Sequence, residues 1–429
     1  MFKAIMNKIY YRLILLSFLI LLIAVMHHPV SAELSINGYY KSFFVAYDFP
    51  EPKGLSGLFN QPTTGMVSNR IRINARLSID ENISLTMSYN FVPRIQDSTL
   101  YYLDTGFSQF NRQSYRADDI RARLYPGYDE PLGSFAIFQN LDRAFLTIRC
   151  RLADIYIGRQ AIAWGSARSI NPTDVIAPYT YDELDSEDRV GVDAVRVRIP
   201  IGFMGEIDAG YLFGDDFEYK KSAFYLRGKY YVARTDVALI LLGFRENLMT
   251  GIDIARAVGG AGFWLEAAYV FPEALKSSND DADDSYFRGT VGLDYSLTDK
   301  MYGFVEYHYN QPGSNEPEDY TEIITGDAYL EGAVYLLGEH YLTPGASYQI
   351  TPLITFTGQM LWNMSDYSLL LTSAVEYNIA ENIYLAGGAY IGLGKRPEVD
   401  MGVFPPTVDM RSEFGSYTDT FFTSFRVYF

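Results

Sequence analysis

The chain has 429 residues, of which 48% are hydrophobic, 16% aromatic and 20% charged, with a formal charge of -17. A single cysteine, Cys150, excludes a disulfide framework, a CxxC zinc site and a CxxCH haem attachment, and the apolar share excludes a disordered chain. What needs explaining is the presence of 36 Tyr and 28 Phe in a chain whose mean hydropathy is only -0.04.

Residues 1–32 read as a cleaved secretory signal. Lys3, Lys8 and Arg12 form a positive leader, Leu13–Met26 is apolar except for Ser17, and Val30-Ser31-Ala32 supplies small residues for a cut before Glu33. The alternative is a single membrane anchor, but the run is short for a span of ~20 residues. No cysteine follows it, so it is not a lipoprotein signal. Cleavage removes three positive charges, taking -17 to -20, and leaves His308 and His340 as the remaining histidines. Past this segment no apolar run approaches ~18 residues, which excludes a helical membrane protein.

From Glu33 onward the hydrophobic period is two. In 69–80, Ile71, Ile73, Ala75, Leu77 and Ile79 alternate with Arg70, Arg72, Asn74, Arg76 and Ser78. Residues 83–91 repeat the pattern across the turn Asp80-Glu81-Asn82. Successive strand side chains point to opposite faces, so each segment has one apolar and one polar surface. The same unit recurs as about eighteen candidate strands, from 34–48 through 67–79, 154–164, 251–258 and 340–351 to 416–429. Sixteen is the alternative, because 329–351 divides in more than one way. Connections alternate between short, such as 151–153 and 233–234, and longer, such as 94–138, 165–189 and 311–339. Long strands, alternating connection lengths and the absence of a blade-like repeat point to an all-β, transmembrane antiparallel barrel with short periplasmic turns and longer extracellular loops. Residues 33–429 form that barrel. Tyr and Phe near strand ends (Phe43, Phe44, Tyr47, Tyr89, Phe91, Tyr211, Phe213, Tyr269 and Phe271) are expected in the interfacial girdles.

At the chain end, Phe421, Phe425, Val427 and Phe429 share one face. This resembles the C-terminal signature of Gram-negative outer-membrane barrels, in which the last strand is read by the barrel assembly machinery; the resemblance assigns that signal to Phe425, Val427 and Phe429. Ile157-Gly158-Arg159-Gln160, Trp164-Gly165, Asn171-Pro172-Thr173-Asp174 and Arg189-Val190-Gly191 together resemble a segment of porin-like barrels, with no residue-level function attached.

Charge on the lipid face would cost ~2–4 kcal/mol at the midplane, so charged strand residues should face inward. Parity places Arg70, Arg72, Arg76, Arg149, Arg196, Arg198, Arg227 and Lys229 in the lumen, interrupted by Glu206 and Asp208. Later strands carry Glu266, Asp294, Glu306 and Glu376, with Arg288 as an exception. A basic wall facing an acidic one would impose a transverse field on the pore. Mutual pairing of these residues as lumen filling is the alternative.

Two outer loops are long enough to enter the lumen. Residues 94–138 hold Arg112, Arg116, Arg121 and Arg123. Residues 165–189 form the candidate constriction, with Arg168, Asp174, Asp182, Glu183, Asp185, Glu187 and Asp188. The acidic tip Asp280, Asp281, Asp283 and Asp284 lacks the Gly and distal Glu of a calcium loop and reads as a solvated tip. No Ser stands at a recognisable spacing from His308 or His340, so no catalytic residue is assigned. No metal or cofactor is assigned either. Cys150 reads as a buried or lipid-facing thiol.

These features lead to an expectation: an outer-membrane, porin-like channel of a Gram-negative bacterium, passing small hydrophilic solutes or ions. A ligand-dedicated barrel, for instance for an acidic polysaccharide, and a sheath around a partner protein are the alternatives. The expected partners are the bilayer and lipopolysaccharide, the assembly machinery and small polar solutes, not nucleic acid. Assembly as a homotrimer is open.

Overall fold

A computed structural model describes residues 32–53, 63–101, 115–120, 122–127, 129–178, 181, 183–276, 284–330, 335–400 and 407–429. The expected signal sequence before Ala32, Asp182, Arg112, Arg121, Asp280, Asp281 and Asp283 lie outside these residues.

Eighteen long strands follow one another in chain order. They are β1 (Glu33–Asp48), β2 (Thr63–Ser78), β3 (Ile83–Gln96), β4 (Phe135–Arg149), β5 (Asp154–Gln160) and β6 (Val192–Ile201). Next come β7 (Gly205–Leu212), β8 (Ala223–Val232), β9 (Thr235–Phe244), β10 (Asn247–Val258), β11 (Ala261–Phe271) and β12 (Tyr286–Thr298). The last six are β13 (Met301–Asn310), β14 (His340–Thr351), β15 (Ile354–Asn363), β16 (Leu369–Ala380), β17 (Ile383–Leu393) and β18 (Asp419–Tyr428). Each pairs antiparallel with its neighbours, and β18 pairs with β1, closing the sheet. Closure leaves no free edge. It is completed by Phe429, whose amide and carbonyl bond Gly38 at 3.0 and 2.8 Å. A Cβ at Gly38 would stand 2.1 Å from the Arg72 carbonyl oxygen, so this seam position admits only glycine.

The division of 329–351 is settled by local structure. Tyr320–Thr325 and Asp327–Leu330 are short helices, and the strand begins only at His340. The strand expected over 154–164 stops at Gln160, after Gly158 takes a φ of +119° and Arg159 and Gln160 are both buried. A glycine inside a strand marks such an irregularity. No helix of the described residues is long and apolar enough to cross a membrane.

The outward faces carry exposed aliphatic and aromatic residues, such as Ile73, Leu239, Leu293 and Phe421. The inward faces differ from the expected uniform polarity. Toward the long-loop end, three apolar clusters occupy the interior. One joins Ile162, Trp164, Val192, Leu242, Phe244 and Met249; another Phe43, Tyr47, Val92 and Phe138; the third Ile170, Leu336, Tyr341, Leu370 and Phe414. Phe43 and Tyr47, expected in a girdle, are therefore interior residues, each 4% exposed. They sit at the odd positions of β1 that also carry Tyr39 and Lys41, whereas Phe44, one residue on, faces outward. Cys150 opens the β4–β5 turn and is exposed, so of the two expected placements the buried one does not hold.

Candidate functional site

The connection 161–191 between β5 and β6 crosses the barrel interior, because its two halves bond inward side chains on different walls. The first half lies on β10–β13. Glu266 of β11 accepts the amides of Ser166, Ala167 and Thr173 at 3.1, 3.3 and 3.0 Å, and the Thr173 hydroxyl at 2.6 Å. Glu306 of β13 accepts the amides of Arg168 and Ile170 at 2.7 and 2.9 Å and the indole of Trp264 at 3.0 Å. Arg168 pairs with Asp294 of β12 at 2.9 Å, and Ser166 donates to Asp253 of β10. Two buried carboxylates thus meet backbone N–H groups that a non-strand segment would otherwise leave unsatisfied.

The second half lies on β1 and β2. Lys41 contacts Asp185 at 2.9 Å and Glu187 at 2.5 Å, and Arg70 contacts the other oxygen of Asp185 at 2.7 Å. Tyr39 and Tyr428 donate to Asp188 and Glu187, each at 2.7 Å. Arg72 sits 3.5 Å from Asp188 and 2.8 Å from Asp142 of β4, which also accepts the Gly191 amide at 3.0 Å. Burial alone would raise the Asp185 carboxyl; Arg70 and Lys41 override it and hold it below the carboxylate range. Within the segment, Asp174 pairs with Arg189 at 2.9 Å. There burial prevails, pushing the Asp174 carboxyl up to about 6 against the pull of Arg189.

Part of the other long loop joins the same interior. Arg116 donates from Nε to the Gly191 carbonyl at 2.8 Å, and Asp119 bridges Arg116 and Arg159 at 2.5 Å each. Arg159 also holds Asp193 at 2.8 Å. Arg116 was expected in this loop and Arg159 belongs to the porin-like segment, whereas Asp119, Asp193, Lys41 and Asp142 were not singled out in the sequence. Lys41 shares the inward parity of Tyr39 and was legible on that ground; Arg159 follows the Gly158 irregularity, where parity fails.

The remaining expected lumen residues sit closer to the short-turn end. Arg196 grips Asp208 with two hydrogen bonds, of 2.9 and 2.5 Å, and Arg198 pairs with Glu206. Lys229 pairs with Asp236 at 3.1 Å, and Glu376 with Arg426. Arg227 is half-buried and Arg76 exposed, neither in an ion pair among the described residues. Arg149 is exposed at the rim, bonding the Glu81 carbonyl at 3.2 Å. Glu183 is buried. His308 bonds Thr290 at 2.8 Å, and His340 bonds Tyr307 at 2.7 Å. At the chain end, Phe425 and Val427 are partly exposed and Phe429 is exposed.

No family model and no curated protein matches the sequence. Solved structures do. Acinetobacter baumannii OccAB3 superposes with a TM-score of 0.55 at 9% identity, over 92% of this chain and 99% of that one. OccAB2 of the same organism gives 0.54 at 8%, over 92% and 98%. The fold is that of a porin-like outer-membrane barrel. A triple mutant of Rhodopseudomonas blastica porin aligns over 92% of this chain and 100% of its own, at 12% identity and a TM-score of 0.43. At these identities the likeness extends to the fold alone.

Proposed function

We propose that this barrel is an outer-membrane channel passing small hydrophilic solutes or ions by diffusion, with segment 161–191 as its constriction. The observation that carries this reading is the attachment of one loop to two walls of the lumen, by backbone amides on Glu266 and Glu306 and by Asp185, Glu187 and Asp188 on Lys41, Arg70 and Arg72. Barrels of sixteen to eighteen strands enclose an aqueous space wide enough to need such a restriction. In this reading the long-loop end is extracellular. The periplasmic vestibule is lined by the basic residues Arg196, Arg198, Arg227 and Lys229 and the acids Glu206 and Asp208. Residues 1–32 are the export signal, and Phe425, Val427 and Phe429 are the assembly signal.

A narrow, ligand-dedicated barrel is the second reading. It is favoured by the three apolar clusters inside the long-loop half, where a general pore would be polar.

Recording the refolded full chain in planar bilayers with asymmetric KCl tests the proposal. Steady conductance without added ligand is the expected result. Conductance no higher than the bare bilayer would overturn it, and current only in the presence of a ligand would favour the dedicated barrel.

A further inference from the structure

The water-accessible part of the lumen is distributed unevenly. On β2, β3, β11 and β12, the inward residues in mid-strand are covered: Arg72, Asn90, Glu266 and Thr290 are each at most 4% exposed. On β14–β17 the inward residues are less covered, although Thr343 and Ala386 are buried. Gly345, Gln359, Thr372, Ala374 and Gly388 are half-buried, and Thr357 is exposed. None of the six carries a charge. Nearer the short-turn end the same wall continues with Ser347, Gln349, Thr355 and Asn378, where the charge of Glu376 is met by Arg426.

Segment 161–191 reaches this wall through one hydrogen bond among the described residues, Gln359 Nε2 to Ser169 Oγ at 3.3 Å, and, nearer the long-loop end, through Ile170 in its apolar cluster with Tyr341, Leu361 and Leu370. On the other two walls it is fixed by carboxylates and cations. Arg70, Arg72, Glu266 and Glu306 are thus covered by the loop they hold, whereas Arg198, Lys229 and Glu376 stay partly open in ion pairs nearer the short-turn end.

We infer that solutes cross the barrel between segment 161–191 and the β14–β17 wall, and that this path favours uncharged, hydroxyl-bearing solutes over ions of either sign. The inference rests on the channel reading above. Thr hydroxyls and the Gln amide both donate and accept, so they can replace the water around a polyol. An ion leaving bulk water gains no uncompensated opposite charge there to offset its dehydration.

Cysteine accessibility tests the path. The single native Cys150 lies exposed in a turn, so Cys150→Ser supplies a background for Thr357→Cys and Thr372→Cys. Asn90→Cys marks the covered wall, with Ser88→Cys (native residue 4% exposed) as a second control should the first fail to fold. Current through each is followed while a cationic (trimethylammonium) or an anionic (sulfonate) methanethiosulfonate is added. Both reagents should lower the current at Thr357→Cys and Thr372→Cys at similar rates, and neither should act at Asn90→Cys or Ser88→Cys. In liposome swelling, arabinose should enter faster than the similarly sized anion arabinonate.

Block at position 90 or 88 with none at 357 and 372 would overturn the path. A rate difference of about tenfold or more between the two reagents, equal to ~1.4 kcal/mol of charge preference, would overturn its uncharged character. Current in the unmodified chain with unreactive 357 and 372 removes this inference alone; absence of current in the unmodified chain removes the channel reading with it.

Discussion

The two charged walls hold the same loop by opposite means. On β10–β13 the barrel supplies the carboxylates and the loop supplies backbone N–H groups, so what is recognised is the path of the main chain from Ser166 to Thr173. On β1 and β2 the barrel supplies Lys41, Arg70 and Arg72, and the loop supplies side chains at 185, 187 and 188. The first arrangement depends mainly on loop conformation, with the side chains of Ser166, Arg168 and Thr173 adding contacts; the second depends on three acidic side chains. A field between a basic and an acidic wall is what alternating charges suggest. Here each wall is met by a complementary half of one segment, and little of that field is left for a solute to feel.

The largest effect should come from breaking the side-chain half. Asp185→Asn leaves Arg70 buried without its carboxylate, and breaking such a buried pair costs about 3–5 kcal/mol. Release of that half of the loop should appear as larger, noisier single-channel currents and a lower melting temperature. On the other wall, Glu306→Gln turns an all-acceptor group into one that presents an amide N–H to backbone donors. Hydrogen bonds to a charged group contribute ~1.5–3 kcal/mol each, so a smaller loss within that range is expected, with Trp264 fluorescence reporting it.

Titration sharpens the contrast. The stability from Asp185, whose carboxyl is held below its ordinary 3.8, is present above that value and lost as the pH falls through the depressed one. Glu413, under the third apolar cluster, behaves oppositely. It accepts from Tyr341 at 2.5 Å, Asn363 at 2.9 Å and the Leu337 amide at 3.2 Å, and burial pushes its carboxyl from 4.5 up to about 8. The folded state keeps this proton longer than the unfolded one, so stability should decline as the pH rises from about 4.5 to about 8. Melting curves across that range should show this decline in the native chain and much less of it in Glu413→Gln. The smallest effect is assigned to Arg76→Ala. Its side chain is exposed and in no ion pair among the described residues, so stability should stay within ~0.5 kcal/mol, with only a slight shift of reversal potential.

The barrel was legible because a strict period of two survives in nearly every strand, and lipid on one side enforces it. Neutral mean hydropathy follows from that alternation. Tyr47, expected in a girdle, is instead inside, and Tyr39, Tyr225 and Tyr341 are also inside, packed against loops. The inward orientation of Arg70, Glu266 and Glu306 could be read from parity. Their partners could not, because Asp185 and the amides of 166–170 lie far along the chain and meet them only when the loop folds in. Nothing in local periodicity shows that Arg72 would be covered while Thr357 stays open to water.

The most direct test of the central claim is the single-channel conductance of the full chain beside that of a variant in which residues 166–188 are replaced by a short Gly-Ser linker. A segment that narrows the lumen and is held between two walls predicts a small unitary conductance in the full chain and a several-fold larger one in the variant. Equal conductance in two correctly folded barrels would contradict the account.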